Sequence, residues 1–311
     1  MRHETVLLHE SVEALAICTG DTVVDATLGG AGHFALMRDI LGQEGTLVGI
    51  DADSSALTRA RERVPAATGI TVHLVHGNFR DLERLLDAEG IEGIDGALFD
   101  LGWSGFQLED GRGFSFRADE PLLMTYGEGM ETNAADFVNN LSETALADLL
   151  YTLGEERFSR GIAKAIVARR EESAIETTAQ LVEAVEAGVP AWYRHRKLHP
   201  ATKTFQALRI AVNDELGAVR EGVAGALNRL SEGGRVAVIT FHSIEDRIVK
   251  AMFRDAAHAG QGTVVTKKPV TPSASELAAN PRARSAKLRV FERGARPSVS
   301  ITQSVASTLY A

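Results

Sequence analysis

Val23-Val24-Asp25-Ala26-Thr27-Leu28-Gly29-Gly30-Ala31-Gly32-His33 runs from apolar β-formers through an acid into a glycine-rich turn. Phe34-Ala35-Leu36-Met37 then continues as helix. The glycines permit a tight turn and close backbone approach, so the stretch reads as buried strand, turn and first helical turn. Open α/β sheets bind nucleotide-like ligands at such a turn, at the carboxyl end of a strand. Gly30-x-Gly32-x-x-Ala35 also satisfies a loose dinucleotide fingerprint, so the turn alone leaves the ligand open, and a turn without ligand remains an alternative.

The next strand narrows the choice. Gly45-Thr46-Leu47-Val48-Gly49-Ile50-Asp51 is apolar and ends in a carboxylate. It lies about twenty residues past the glycines, the place of an acid that accepts hydrogen bonds from a ribose diol. Asp25 adds a second carboxylate beside the turn. It would repel a pyrophosphate and attract an ammonium or sulfonium group. S-adenosylmethionine carries a ribose, an ammonium and a sulfonium and no phosphate, and fits better than NAD.

Outward from this point the chain alternates. Ser54–Val64 reads as a helix with Ser54 as N-cap, Ile70–His76 as a strand, Asp81–Ala88 as a short helix, and Ile94–Asp100 as a fourth strand ending in an acid. This rhythm predicts an α/β fold with a parallel, doubly wound sheet. Three of the four strands deliver a carboxylate to one edge: Asp25, Asp51 and Asp100. From about Gln107 to Lys197 only helical patterns appear, over Asn133–Tyr151, Glu155–Arg170 and Thr177–Ala187, which predicts an inserted helical subdomain. The expected division is 1–106 with 198–311 for the cofactor-binding domain and 107–197 for the insertion. After Ala201 a long helix over Thr204–Leu230 is expected. Arg235–Phe241 should be a strand and Ser243–Ala257 a helix capped by Ser243 with Asp246 at its third position. Two short strands, Thr263–Thr266 and Leu288–Phe291, should flank an exposed loop.

Composition bounds the class. The 311 residues are 44% hydrophobic and 24% charged, as in an ordinary globular protein. A single cysteine, Cys18, excludes an internal disulfide and a cysteine-clustered metal site. No secretory signal or membrane-length apolar run is present, which predicts a cytoplasmic protein without a membrane partner. The net charge of −9 argues against a broad nucleic-acid surface but not a local one. Arg194, Arg196, Lys197 and Lys203 cluster, as do Arg282, Arg284, Lys287, Arg289, Arg293 and Arg296. Arg157, Arg160 and Lys164 recur at helical spacing, suited to phosphates or to pairing with Glu155 and Glu156. His73 and His76 face opposite sides of a strand, and no metal site is expected. His242 and Ser243 follow a strand without the nucleophile elbow of a hydrolase.

The turn Asp100-Leu101-Gly102-Trp103-Ser104-Gly105-Phe106-Gln107 lies beside the expected cofactor. Methyl transfer requires mainly that acceptor and sulfonium be aligned. For an exocyclic base amine, acceptors on the amine protons favour the pyramidal nitrogen that attacks. Asp100, the Leu101 carbonyl and Ser104 are the candidates, with ordinary turn chemistry as the alternative for Ser104. Phe79 suits an adenine face or the core.

Longer motifs, in order, resemble one family: His3-x-x-Val6-Leu7-Leu8, DATLGGAGH, HGNF, DLGWSGFQLE, RGFSF, GEERFSRGIAKAI, HPATKTFQALRIAVNDEL, GGRVAVITFHSIEDRIVK and NPRARSAKLRVFER. The chain resembles, nearly end to end, the bacterial S-adenosylmethionine-dependent methyltransferases of the MraW/RsmH type. These modify the N(4) amine of one cytidine in 16S ribosomal RNA of the small subunit. The resemblance implies a class I (Rossmann-like) methyltransferase sheet with a helical insertion that helps recognise RNA, and a homodimer stays open. It implies cofactor contacts at Ala31, Gly32, His33, Asp51, Phe79, Asp100 and Gln107. The chain departs from the family where Ala31 replaces a usual glycine, at Trp103 and Gly105, and at Leu123-Met124-Thr125-Tyr126, where Asp-Met-Arg-Met is common. Alanine at 31 costs energy only if its φ is positive. A nicotinamide-dependent oxidoreductase and a non-catalytic RNA-binding assembly factor with a vestigial pocket are the alternative functions.

Overall fold

The computed structural model describes residues 5–64, 69–102, 111–126 and 132–294. Ser104 and Gln107, with Trp103 and Gly105, lie outside the described residues. The strands are β1 (Thr22–Asp25), β2 (Thr46–Asp51), β3 (Thr71–His76), β4 (Ile94–Asp100), β5 (Leu230–Thr240), β6 (Gly262–Val264) and β7 (Lys287–Arg293). Among the described residues they form one sheet in the order β3-β2-β1-β4-β5-β7-β6. β1 to β5 pair in parallel, and β7 runs antiparallel to both β5 and β6.

The helices are α1 (Leu8–Ala14), α2 (Gly32–Leu41), α3 (Ser54–Arg63), α4 (Leu82–Ala88), α5 (Ala134–Asn140), α6 (Glu143–Gly154) and α7 (Ser159–Glu172). After them come α8 (Thr178–Ala187), α9 (Ala191–Arg194), α10 (Thr202–Asn213), α11 (Glu215–Arg229), α12 (Ser243–His258) and α13 (Ala274–Ala279). None is long and apolar enough to cross a membrane, among the described residues.

Strand residues alternate between the two faces of the sheet, and both faces are covered. Val23, Leu98 and Ile239 pack with Phe34 and Met37 of α2 and Leu57 of α3. Val24, Phe99 and Val238 pack on the other side with Leu82 and Leu86 of α4, Val223 of α11 and Phe253 of α12. A separate core gathers Phe114, Leu146, Ile162, Leu181 and Tyr193, and it extends to Phe205 and Val212 of α10. The helical insertion thus has its own apolar centre, on which α10 packs although it lies past residue 197.

Local breaks modify several expected elements. Asn133–Tyr151 is two helices, because Leu141 turns extended and Ser142 accepts the Ala145 amide to start α6. The expected long helix over Thr204–Leu230 is likewise divided at Asp214, whose φ of 44° belongs to the left-handed region. Asp53, not Ser54, caps α3 by accepting from Ser55. His242, not Ser243, caps α12, with Glu245 completing a capping box from the third position. Asp246 instead pairs with Lys287 and Arg289, which removes two cations from the expected C-terminal basic cluster. The expected exposed loop before β7 contains α13 and a short 3₁₀ turn over Pro281–Ser285.

Candidate active site at the switch point of the sheet

Strand order reverses between β1 and β4, and a crevice opens there at the carboxyl ends of the strands. It holds a cavity of about 150 Å³ lined by Gly29, Gly32, His33, Asp51, Phe79 and Asp100 among others. Five of the sequence-expected site residues thus meet in one place. Ala31 is fully buried and stands under the turn, outside the lining.

The glycine turn is tied down on both sides. Gly29, at φ 48°, donates its amide to Asp51 Oδ2 (2.9 Å), while Asp51 Oδ1 accepts from Asp53 N (2.9 Å). The Gly29 and Gly30 carbonyls accept from Arg59 (3.2 Å) and Arg63 (2.8 Å). A dinucleotide turn aims its amides at a pyrophosphate. Here the Gly29 amide is taken by a carboxylate, which argues against the nicotinamide alternative. Ala31 adopts φ 57°, the costly case for a residue with a Cβ.

Asp51 and Asp100 line the crevice, and Asp25 lies buried behind them, close enough to feel both charges. Asp25 is 1% exposed, with Oδ1 accepting the Thr27 amide (3.1 Å) and Oδ2 without a hydrogen-bond partner among the described residues. Burial pushes it well above the usual carboxylate range, and the charges of Asp100 and Asp51 push in the same direction. Asp51 is raised by burial, against the two backbone amides that favour its ionised form. Burial in the cavity wall raises Asp100 to about 6, opposed by the Gly102 amide and assisted by Glu245. Thr27 Oγ1 accepts from the Asp100 amide (2.7 Å), joining the first turn to β4. His33 Nε2 lies 3.2 Å from the Val6 carbonyl, so that nitrogen donates; Nδ1 stands 3.8 Å from Asp100 Oδ2. Phe79 packs edge-on to Phe99 at 5.7 Å, and Gly222 of α11 allows the approach, since a Cβ there would come within 2.6 Å of the Phe79 ring.

The opposite wall was not assembled from the sequence. Tyr126, Asn213, Glu215 and Glu245 line the cavity from a loop, the α10–α11 junction and the start of α12. Buried Arg209 donates to Glu215 Oε2 (2.8 Å) and lies 2.7 Å from Oε1, which also accepts from Tyr126 Oη (2.8 Å). Glu245 Oε2 accepts the Phe241 amide (2.9 Å), and Oε1 lies 2.8 Å from His242 Nε2. Ligand atoms of Glu215, His242 and Glu245 lie within 4.8 Å of one another. Glu215 is ion-paired with Arg209, and Glu245 is held by His242 and the Phe241 amide, so the cluster reads as a paired polar wall. Burial would lower Arg209, but Glu215, Tyr126 and Glu245 hold its guanidinium above the usual arginine range.

Topology and the place of the cavity define the class: a Rossmann-like protein of the doubly wound type. The MraW methylase family matches residues 1–294, and the chain belongs to that family. It is 51% identical over 296 residues to ribosomal RNA small subunit methyltransferase H of Deinococcus radiodurans, covering 95% of this chain and 91% of that one. The protein of the same name in Brevibacillus brevis is 46% identical, over 94% of this chain and 98% of its own. Among solved structures, an rRNA methylase from Streptococcus thermophilus aligns with TM-score 0.44 at 13% identity, over 94% of this chain and 100% of that one.

Proposed function

We propose that this protein transfers the methyl group of S-adenosylmethionine to the exocyclic N(4) amine of a cytidine in 16S ribosomal RNA, within the small subunit. Family membership and the names of the two relatives support the RNA substrate. The observation that carries the cofactor reading is that Asp51 and Asp100 line one crevice, with Asp25 buried behind them and electrostatically coupled to both. Such a site suits a nucleoside that carries positive charge and no phosphate.

When bound, the cofactor supplies an electrophilic methyl on sulfonium. Asp51 suits the ribose diol, Phe79 the adenine face, and the start of α2 at Gly32 and His33 the amino-acid end, with Gln107 carried from the family resemblance. Asp100 Oδ accepts a proton of the attacking amine, which sharpens the nitrogen lone pair and clears the charge that forms as nitrogen gains the methyl. Its raised pKa still leaves it ionised at neutral pH. Ser104 assists the amine in this reading. The sheet, 1–106 with 198–311, holds the cofactor, and the insertion, 107–197 with α10 packed on it, presents the RNA.

The test is incubation with S-adenosylmethionine and unmodified small subunits, followed by mass spectrometry of the RNA nucleosides. N(4)-methylcytidine at one position is expected. Methylation elsewhere would refute the target, and calorimetric binding of NAD in place of S-adenosylhomocysteine would refute the cofactor.

A further inference from the structure

Glu156 is a carboxylate at 0% exposure. Its Oε1 accepts the Phe158 amide (2.8 Å) and its Oε2 accepts the Tyr193 hydroxyl (2.8 Å). A buried charge satisfied this way is costly to disturb, so it fixes the turn before α7 against α9. What it fixes is on the surface. Trp192 is 54% exposed and stands edge-on to Phe158 and Tyr193, each at 5.7 Å. The Arg157 guanidinium lies 4.9 Å from the Phe158 ring centre and 5.5 Å from that of Trp192, and Arg196 lies 5.1 Å from that of Tyr193.

This patch has a sign opposite to the whole chain. Exposed Arg157 and Arg196 stand against its rings, with exposed Arg160 and Arg194 close to them in sequence, in a protein of net charge −9. It is also tied to the active-site edge. Glu155, two residues before Arg157, holds Ser243 Oγ (2.5 Å) and Arg247 (2.6 Å) at the start of α12, next to His242 and Glu245. Among the described residues Glu155 and Glu156 are engaged elsewhere and form no ion pair with Arg157, so of the two readings open for Arg157, local pairing is not the one seen.

We propose that Trp192 and Arg157 form a stacking platform for an unpaired base of the RNA strand that delivers the target nucleotide. The inference rests on the RNA reading above. An exposed indole offers a face to any base, and guanidinium groups beside it meet the phosphates. A duplex keeps its bases stacked internally and gains nothing from the indole, so the partner is single-stranded.

The probe is a short labelled oligoribonucleotide, single-stranded or annealed to its complement, read by fluorescence anisotropy. Trp192→Ala should weaken single-strand binding by about tenfold, within the range for loss of one stacked base. Trp192→Phe should keep most of it, and duplex binding should not change. Arg157→Glu should weaken binding and reduce the salt slope by about one contact's worth. S-adenosylhomocysteine binding by each variant serves as the folding control. If the wild-type protein binds RNA and Trp192→Ala binds single strands equally well, the platform falls and the RNA reading stands. Equal loss on single strand and duplex also overturns stacking. Failure of the wild-type protein to bind RNA in either form overturns both.

Discussion

The sheet and the insertion treat buried carboxylates in opposite ways. In the insertion, Glu156 is fully buried, yet both its oxygens are met by donors of the same small cluster. At the sheet edge, Asp25 and Asp100 are raised by burial and by neighbouring acids. A satisfied buried charge fixes structure; an under-compensated group of charges is the signature of a site built for something else. The net charge of −9 conceals this division. An acid-walled crevice suits a cation, and the arginines that suit a polyanion lie on the insertion.

The largest expected effect tests the sheet side of the contrast. Asp100→Asn keeps shape and hydrogen-bonding capacity and removes the base, so turnover should fall by about 100-fold or more, with a smaller loss in cofactor affinity. The pH profile gives the sign. Asp100 is neutral below its raised pKa of about 6 and ionised above it. Wild-type kcat/KM should therefore climb through about pH 6 and level off above, and the asparagine variant should lack that step. Equal losses in turnover and in affinity for S-adenosylhomocysteine would make Asp100 a binding residue only.

Asp51 should have an intermediate effect that joins binding to structure. Asp51→Ala should weaken S-adenosylhomocysteine binding by about 1.5–3 kcal/mol, the worth of hydrogen bonds to a charged group, or roughly 10- to 150-fold. Because Asp51 also holds the Gly29 and Asp53 amides, melting temperature should fall as well. Calorimetry and thermal melts together decide: lost stability with unchanged affinity would confine Asp51 to anchoring the turn.

The sheet side was largely legible because its functional groups follow apolar strands at the period of the fold. Val23-Val24-Asp25, Leu47–Asp51 and Ala97–Asp100 each state strand, end and acid within a few residues. The opposite wall was not legible. Glu215 and Glu245 come from helices about thirty residues apart and meet only through the packing of α11 and α12 on the sheet. Arg209 looks like one more surface arginine of a helix until Glu215 and Tyr126 are brought to it. Asp214 hid its break for another reason: apolar periodicity continues across it, and only its left-handed backbone divides α10 from α11. The motif HPATKTFQALRIAVNDEL contains Arg209, Asn213 and Glu215, but neither periodicity nor resemblance gave these residues a place in the site. On the insertion, Trp192 and Arg157 were 35 positions apart with nothing local to join them; buried Glu156 does so.

The smallest expected effect lies in the glycine turn itself. Ala31 holds φ 57° with its methyl fully buried. A Cβ in that region costs about 1–2 kcal/mol, which glycine would relieve. Glycine would forfeit about 0.8 kcal/mol of methyl burial, and about 0.4–1 kcal/mol through a freer unfolded chain. The opposing contributions nearly cancel, so Ala31→Gly should change stability by less than about 1 kcal/mol in either direction. S-adenosylhomocysteine affinity should remain within about twofold of wild type, since Ala31 does not line the cavity. Denaturant melts and calorimetry check both expectations. A β-branched residue there is the sharper probe: Ala31→Val keeps and enlarges the apolar contact, so a large loss of stability would trace to backbone conformation and overpacking rather than to lost burial. Cofactor affinity that fell with Ala31→Gly at constant stability would instead place residue 31 among the groups that set the turn's shape for its ligand.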